Sequence, residues 1–270
     1  MADVVVAGAA GRMGSRLVAL LKNERDLRLV AALEAPGHAA IGQDAGAVAG
    51  VGAAAVTIGA DAEAALTAGR LLVEFSVPEA TLAHLRLVAR VGGRAVIGTT
   101  GFSPAQRDEV ARLAAAVPIL LSPNMSLGVN VAFHVLDLVA RLLGDDYDVE
   151  ISEVHHRFKK DAPSGTALRM AEVVALALGR DLSQTAVYGR HGLPGERTQK
   201  EIGIMSLRSG DVVGEHTVSF GSLGERLELT HKAHSRDNFA RGALRAAHFV
   251  AAASPGLYSM QDVLGLPGRA

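Results

Sequence analysis

Val4-Val-Val-Ala-Gly-Ala-Ala-Gly-Arg-Met-Gly14 is followed by Leu17, Leu20 and Leu21 at helical spacing. The opening apolar run is what a short strand buried on both faces of a parallel sheet requires. Residues 27–33 form a second such run, ending at Glu34. Strand, glycine turn, helix and strand thus make a βαβ unit of about 30 residues. The glycines matter at the turn. Without Cβ the backbone can approach a pyrophosphate, whose charge the helix N-terminus then stabilises. Glu34 follows Gly14 by about 20 residues, the spacing at which a carboxylate reaches a ribose diol. A Gly-x-x-Gly-x-x-Gly triplet alone is a weak signal, and its plain alternative is a tight structural turn. Placed after a strand, opening a helix and followed by an acid at this distance, it predicts a dinucleotide site.

The pattern continues outward from that unit. Residues 35–54, rich in Gly and Ala, read as loop or partial helix, and 55–58 as a short strand. Asp61 caps a helix over 62–68. Residues 71–75, 94–97 and 118–121 are strands, with helices over about 78–90 and 104–116 between them. Ser103-Pro104 supplies an N-cap and a proline at the first helical position. Alternating strands and helices predict a doubly wound parallel sheet, the Rossmann-type arrangement, whose ligands bind beyond the C-terminal strand ends. Gly98-Thr99-Thr100 and Ser122-Pro123-Asn124-Met125 fall there, beside the glycine turn. Their amides and hydroxyls are candidates for orienting a nicotinamide, although either segment alone is ordinary loop punctuation.

The pattern changes after residue 126. Residues 129–143 read as one apolar helix stopped by Gly144, and 147–154 alternate as a strand does, with His155 at the end. Helix follows over 166–178, then a long loop over 180–200. Residues 202–208, 212–220 and 226–233 carry antiparallel hairpin signals. The prediction is a second, α+β domain over 127–236 for substrate and oligomerisation. The dinucleotide domain then comprises 1–126 and 237–270, completed by a helix over 238–253, and the two crossings act as a hinge. A sheet with an exposed face often pairs with a copy of itself.

The second domain carries a stretch of unusual chemistry, Glu153-Val-His-His-Arg-Phe-Lys-Lys-Asp-Ala-Pro-Ser-Gly-Thr166. Five basic or titratable groups occupy six positions, and a helix N-terminus follows. Cations beside free helix amides suit an anion. Two vicinal histidines and Lys159 offer protons near neutral pH. The plain alternative is a solvated basic loop capped by Ser164. Arg157 and Lys160 fit that alternative better than a functional role, and His231, His234 and Arg236 stay undecided.

Bulk properties narrow the reading. The chain has 270 residues, a formal net charge of −1 and 49% hydrophobic residues. The charge speaks against nucleic acid or an anionic membrane as partner, so the basic cluster suits a small anion. Absence of cysteine excludes disulfides, thiolate metal sites and a thiol nucleophile. No basic segment precedes Asp3, and no apolar run reaches about 18 residues. A cytoplasmic protein with no membrane span and no metal is expected.

Together, Gly8–Gly14, Gly98-Thr-Thr-Gly-Phe102, His155-His-Arg-Phe-Lys159, Asp161-Ala-Pro-Ser-Gly-Thr-Ala167 and Gly214-Glu-His216 resemble the dihydrodipicolinate reductase family, now called 4-hydroxy-tetrahydrodipicolinate reductase. The resemblance runs from Val4 to Leu264. It implies a homotetramer joined through the second domain's sheet, acting in diaminopimelate and lysine biosynthesis. It implies hydride transfer from NADH or NADPH to C4 of a cyclic, unsaturated dicarboxylate. On this mapping His155 and Lys159 look like the proton donors, and His156, Gly165 and Thr166 like substrate contacts. Gly8, Ala9, Ala10, Gly11, Arg12, Met13, Glu34, Gly98, Thr99, Thr100, Ser122, Pro123, Asn124 and Met125 would hold the cofactor. His155 is expected to face the nicotinamide across a shared cleft.

Three residues depart from the family pattern. Phe158 replaces a frequent histidine, and Val77 a basic residue of some members. Ala35 stands where members using the phosphorylated cofactor can carry arginine. With the Glu34 carboxylate beside it, a 2′-phosphate meets repulsion that Arg12 only partly offsets, so NADH is expected to be used well. The alternatives are another NAD-dependent oxidoreductase acting on a small carboxylated imine, a Schiff-base lyase using Lys159, and a non-catalytic dinucleotide sensor.

Overall fold

Val4, Val5 and Val6 have no exposed surface in β1 (Ala2–Ala7), as expected of β-branched residues in a central parallel strand. The structure is a computed structural model that describes residues 1–266. After β1 come α1 (Gly14–Leu21), β2 (Leu27–Leu33), α2 (Ala45–Val48), β3 (Ile58–Gly59), α3 (Ala62–Ala65) and β4 (Leu71–Glu74). Then follow α4 (Pro78–Val91), β5 (Arg94–Ile97), α5 (Pro104–Ala114) and β6 (Pro118–Leu121). The middle of the chain forms α6 (Leu127–Leu143), β7 (Asp148–His155), α7 (Gly165–Ala177), α8 (Leu182–Thr185), β8 (Ala186–Tyr188), β9 (Ile202–Arg208), β10 (Gly214–Ser222) and β11 (Glu225–Ala233). The chain returns with α9 (Asp237–Ala252), β12 (Gly256–Tyr258) and α10 (Met260–Val263).

Two compact units result, one of Met1–Leu127 with Arg236–Ala270, the other of Gly128–Ser235. The first holds a seven-stranded parallel sheet in the order β12-β6-β5-β4-β1-β2-β3. Strand alternation sorts its core into two layers. Val4, Val6, Leu71, Val73, Val96 and Leu120 pack with Leu17 and Val18 of α1 and Ala243 and Leu244 of α9. Val5, Ala7, Leu72, Ala95, Ile97 and Ile119 pack with Leu82 and Leu85 of α4 and Val110 of α5. Each fully buried Leu or Val contributes about 1.5–3 kcal/mol.

Local signals set the helix ends. Ser103 and Gln106 close a capping box on α5, and Gly92 ends α4 in the left-handed region, at φ +67°. Asp61 caps α3, accepting from the Ala64 amide at 3.0 Å. That helix stops at Ala65 rather than 68, because Leu66 leaves helical geometry and is buried in the second layer. The strand expected over 55–58 is confined to Ile58 and Gly59, with Thr57 making only an isolated bridge to Asp44.

The second unit contains a five-stranded mixed sheet, order β11-β10-β7-β9-β8. Its core joins Val129, Phe133 and Leu136 of α6, Met170 and Val174 of α7, and the inward residues Val149, Ile151, Ile202, Ile204, Val218 and Phe220. The predicted hairpin between residues 202–208 and 212–220 does not form. β7 lies between them, parallel to β9 and antiparallel to β10. The link crosses the end of β7, where the Ser209 amide donates to His155 O at 2.8 Å and the Arg157 amide to Gly210 O at 3.1 Å. The expected hairpin between β10 and β11 is present. Residues 180–200 are not all loop. Asp181 caps α8, and β8 adds a parallel edge strand to β9.

Contrary to expectation, residues 127–146 are long and apolar enough to cross a membrane by composition alone. One face of α6 is nevertheless spent on the unit's own core, through Val129, Ala132, Phe133, Leu136 and Ala140.

Candidate active site

In the first unit the glycine turn is tightly closed. Gly8 adopts φ +69°, and the Gly11 amide donates to Gly8 O at 3.0 Å. A Cβ on Gly14 would collide with that same carbonyl and with the Ala9 Cα, so only glycine lets α1 start this close to β1. Glu34 reaches back to the turn: Oε1 accepts from the Ala10 amide at 2.8 Å and Oε2 from the Ala35 amide at 3.3 Å. Two cavities flank the turn. One, of about 280 Å³, is lined by Gly8, Glu34, Ala35, Ser76, Val77 and His84 among others. The other, of about 310 Å³, is lined by Arg12, Met13, Phe75, Gly98, Pro123–Met125, Arg236 and Phe239.

A glycine turn that leaves no room for a Cβ, with a carboxylate at one side and a cationic cavity at the other, has the shape and charge that a dinucleotide requires. Gly98 is part of that shape, since a Cβ there would enter the Phe75 ring. Two expected hydroxyl contacts are committed elsewhere. Thr99 Oγ1 lies 2.9 Å from Thr81 Oγ1, and Ser122 Oγ donates to Asn124 O at 2.8 Å. Asn124 Oδ1 accepts from the Ser126 amide at 2.9 Å. These groups shape the strand-end loops, while Thr100 is exposed and the side chain of Met125 is buried. Arg12 lines the cavity away from Glu34.

In the second unit β7 carries Glu153 and His155 on its buried face. Glu153 has no exposed surface. His155 Nδ1 bonds Glu153 Oε2. Arg208 Nη1 donates to both carboxylate oxygens at 3.0 and 3.1 Å, and the Ser164 amide to Oε1 at 3.2 Å. Burial favours the neutral acid, but hydrogen bonds from His155, Ser206 and Arg208 outweigh it and hold the carboxyl below its usual range. Burial also pulls the His155 imidazole below its ordinary pKa; Glu153 opposes this, while Lys159 and Arg208 add to it. The resting pair is therefore a carboxylate and a neutral imidazole with its proton on Nδ1. His155 Nε2 points toward Gly214, where a Cβ would sit 3.0 Å away. A side chain at 214 would crowd that nitrogen.

The remaining expected residues lie on the loop that follows β7 and at the start of α7. Lys159 is an ion-pair partner of Asp161 at 2.7 Å, and holds that carboxyl low. His156 Nδ1 is a buried atom with no hydrogen-bond partner among the described residues. Gly165 and Thr166 open α7, whose N-cap Ser164 accepts from the Ala167 amide at 3.1 Å. Arg157, Phe158 and Lys160 are exposed. Sequence reasoning passed over Arg208, which arrives from β9, and gave no role to His216 although its motif was noted; its Nε2 lies 2.9 Å from Ser164 Oγ and its ring meets His155 edge-on at 5.1 Å. It also passed over the buried Glu74, which bonds Ser76 and, at 2.6 Å, His84 beside the Glu34 cavity. A carboxylate two residues before a histidine on one strand face was the available signal for Glu153.

Comparison with known proteins bears on both units. Residues 2–125 match the family model "Dihydrodipicolinate reductase, N-terminus" and residues 128–264 match "Dihydrodipicolinate reductase, C-terminus". The chain is 54% identical over 266 residues to the 4-hydroxy-tetrahydrodipicolinate reductase of Citrifermentans bemidjiense, covering 98% of this chain and all of that one. It is 53% identical to that of Syntrophus aciditrophicus, over 98% of this chain and 99% of the other. Among solved structures, a dipicolinate-bound dihydrodipicolinate reductase from Paenisporosarcina sp. TG-14 superposes with a TM-score of 0.74 at 24% identity, over 97% of this chain and 98% of that one.

Proposed function

This chain belongs to the dihydrodipicolinate reductase family and is an NAD(P)H-dependent oxidoreductase that reduces 4-hydroxy-tetrahydrodipicolinate to tetrahydrodipicolinate in diaminopimelate and lysine biosynthesis; from that premise we propose that His155 protonates the ring. Loss of the 4-hydroxyl as water leaves a conjugated ring, and the cofactor, when bound, supplies the hydride for its C4. Electrons then pass through the conjugated ring, and the ring carbon that receives them needs a proton. His155 Nε2 delivers it and the imidazole returns to its neutral form. Lys159 acts as second donor and, as a cation, stabilises developing negative charge. His156 and the Gly165 and Thr166 amides hold the two carboxylates, the latter at the positive end of α7. The observation that carries this reading is a buried imidazole whose Nδ1 is held by a carboxylate and whose Nε2 is left uncovered by Gly214.

His155→Gln is expected to lower kcat by roughly 10²–10⁴-fold while KM changes less. An unchanged kcat in steady-state assays would remove His155 from the reaction.

NADH is the better cofactor on this reading. Glu34, Ala35 and Val77 line one cavity without a guanidinium among them, so a 2′-phosphate would meet a carboxylate. NADH should show the higher kcat/KM, and Ala35→Arg should raise that for NADPH at least about tenfold. A strong NADPH preference in the unaltered protein would overturn it. The enzyme acts as a homotetramer joined through the outer face of the second unit's sheet. It resides in the cytoplasm, which a chain without cysteine suits.

A further inference from the structure

Glu153 is among the most completely buried charged groups described, and the reaction as derived gives it no part. Its partners come from several elements: Arg208 on both oxygens, the Ser164 amide on one, His155 on the other, and Ser206 of β9 besides. Arg208 is itself fixed, its Nη2 donating to Asp161 O at 2.6 Å. A carboxylate held by donors from a neighbouring strand, a helix start and its own strand has little freedom to rotate, so it dictates the plane and tautomer of the ring it binds.

We infer that Glu153 is a positioning residue for proton transfer, fixing His155 through Nδ1 so that Nε2 carries the mobile proton, and supplying the negative charge that stabilises the imidazolium. The inference rests on the reading of His155 as proton donor. The balance is simple. His155 takes a proton from solvent at Nε2; that N–H bond breaks as the ring C–H bond forms; Glu153 stays ionised throughout. The groups facing His155 are Glu153 on its own strand, Lys159 on the following loop, Arg208 from β9, Ser164 ahead of α7, and His216 from β10 with His231 opposite it on β11. Only Glu153 is an anion. Arg208 has the opposite effect on the ring, because it is a cation that also neutralises the carboxylate.

That opposition gives the test. The pH profile of kcat/KM falls on its alkaline side as the donor loses its proton. In Glu153→Gln the amide keeps the shape and drops the charge. The imidazolium loses its anion, so the falling limb should move to lower pH, with kcat reduced at least about tenfold at neutral pH. Arg208→Gln should move the limb the other way, to higher pH. Glu153→Asp should restore the limb toward its original position even if the rate is only partly recovered. A fold lost through a missing hydrogen bond would lower activity without moving the limb in opposite directions. NADH binding, followed by fluorescence, checks that each variant keeps the first unit intact. Limbs that stay fixed in both variants, or move the same way, overturn the inference. His155→Gln separates the two ideas: if it removes the limb while Glu153→Gln leaves it in place, only the role of Glu153 fails. If it leaves kcat and limb unchanged, the reading of His155 fails first.

Discussion

His216 shows what one buried side chain sets. It is 4% exposed, bonded to Ser164 and stacked edge-on against His155. Burial lowers its pKa to about 4, with help from His155. The unfolded chain therefore binds a proton between about pH 6.5 and 4 that the folded one refuses. Stability is full above about pH 6.5 and declines toward pH 4, by about 3 kcal/mol for this group. His216→Gln should flatten that decline in thermal midpoints measured from pH 7 to 4, while costing some stability at pH 7. Part of the slope persists, because His155 and His231 are lowered in the same sense. An unaltered slope would show that the ring is not held neutral. The side chains whose partners are adjacent in sequence, such as Ser103 with Gln106, are legible from the chain alone. Glu153 with Arg208 is not: 55 positions separate them, and no local pattern announces the pairing.

At the scale of elements, the turn between β1 and α1 is the least tolerant place in the first unit. Gly14→Ala drives a methyl group into the Gly8 carbonyl, which must displace either the turn or the helix. Loss of NADH binding in fluorescence titration is expected, with the second unit's sheet retained. Binding at unaltered affinity would mean that the turn does not hold the cofactor. This βαβ unit was readable because its period, glycines and acid lie within one local stretch. The second sheet was readable as strands but not as an order. Residues 202–208 and 214–222 are neighbours in sequence, yet β7 takes the place between them. That choice depends on which strand buries Val149, Ile151, Glu153 and His155 against α7, which a hairpin signal cannot report. β8 escaped notice because three residues carry no period.

At the scale of the whole molecule, each unit has its own core. The outer face of the second sheet is left with exposed Met205 and Leu207 on β9, the latter opposite Val154 of β7. Apolar side chains on an exposed sheet face suit self-association. Met205→Glu with Leu207→Glu should dissociate the proposed tetramer in sedimentation experiments; an unchanged mass would place the interface elsewhere. The sequence reading anticipated an interrupted first domain, since the apolar period returns near residue 238 after the strand-rich stretch. The interruption has a consequence for how the protein is made. β12, the outermost strand of the seven-stranded sheet, and α9, which contributes Ala240, Ala243, Leu244 and Val250 to one of its layers, are synthesised only after the inserted unit. The nascent chain thus exposes all of the inserted unit before the earlier strands receive their final covering helix. During translation, the unit begun before the insertion is completed only after it.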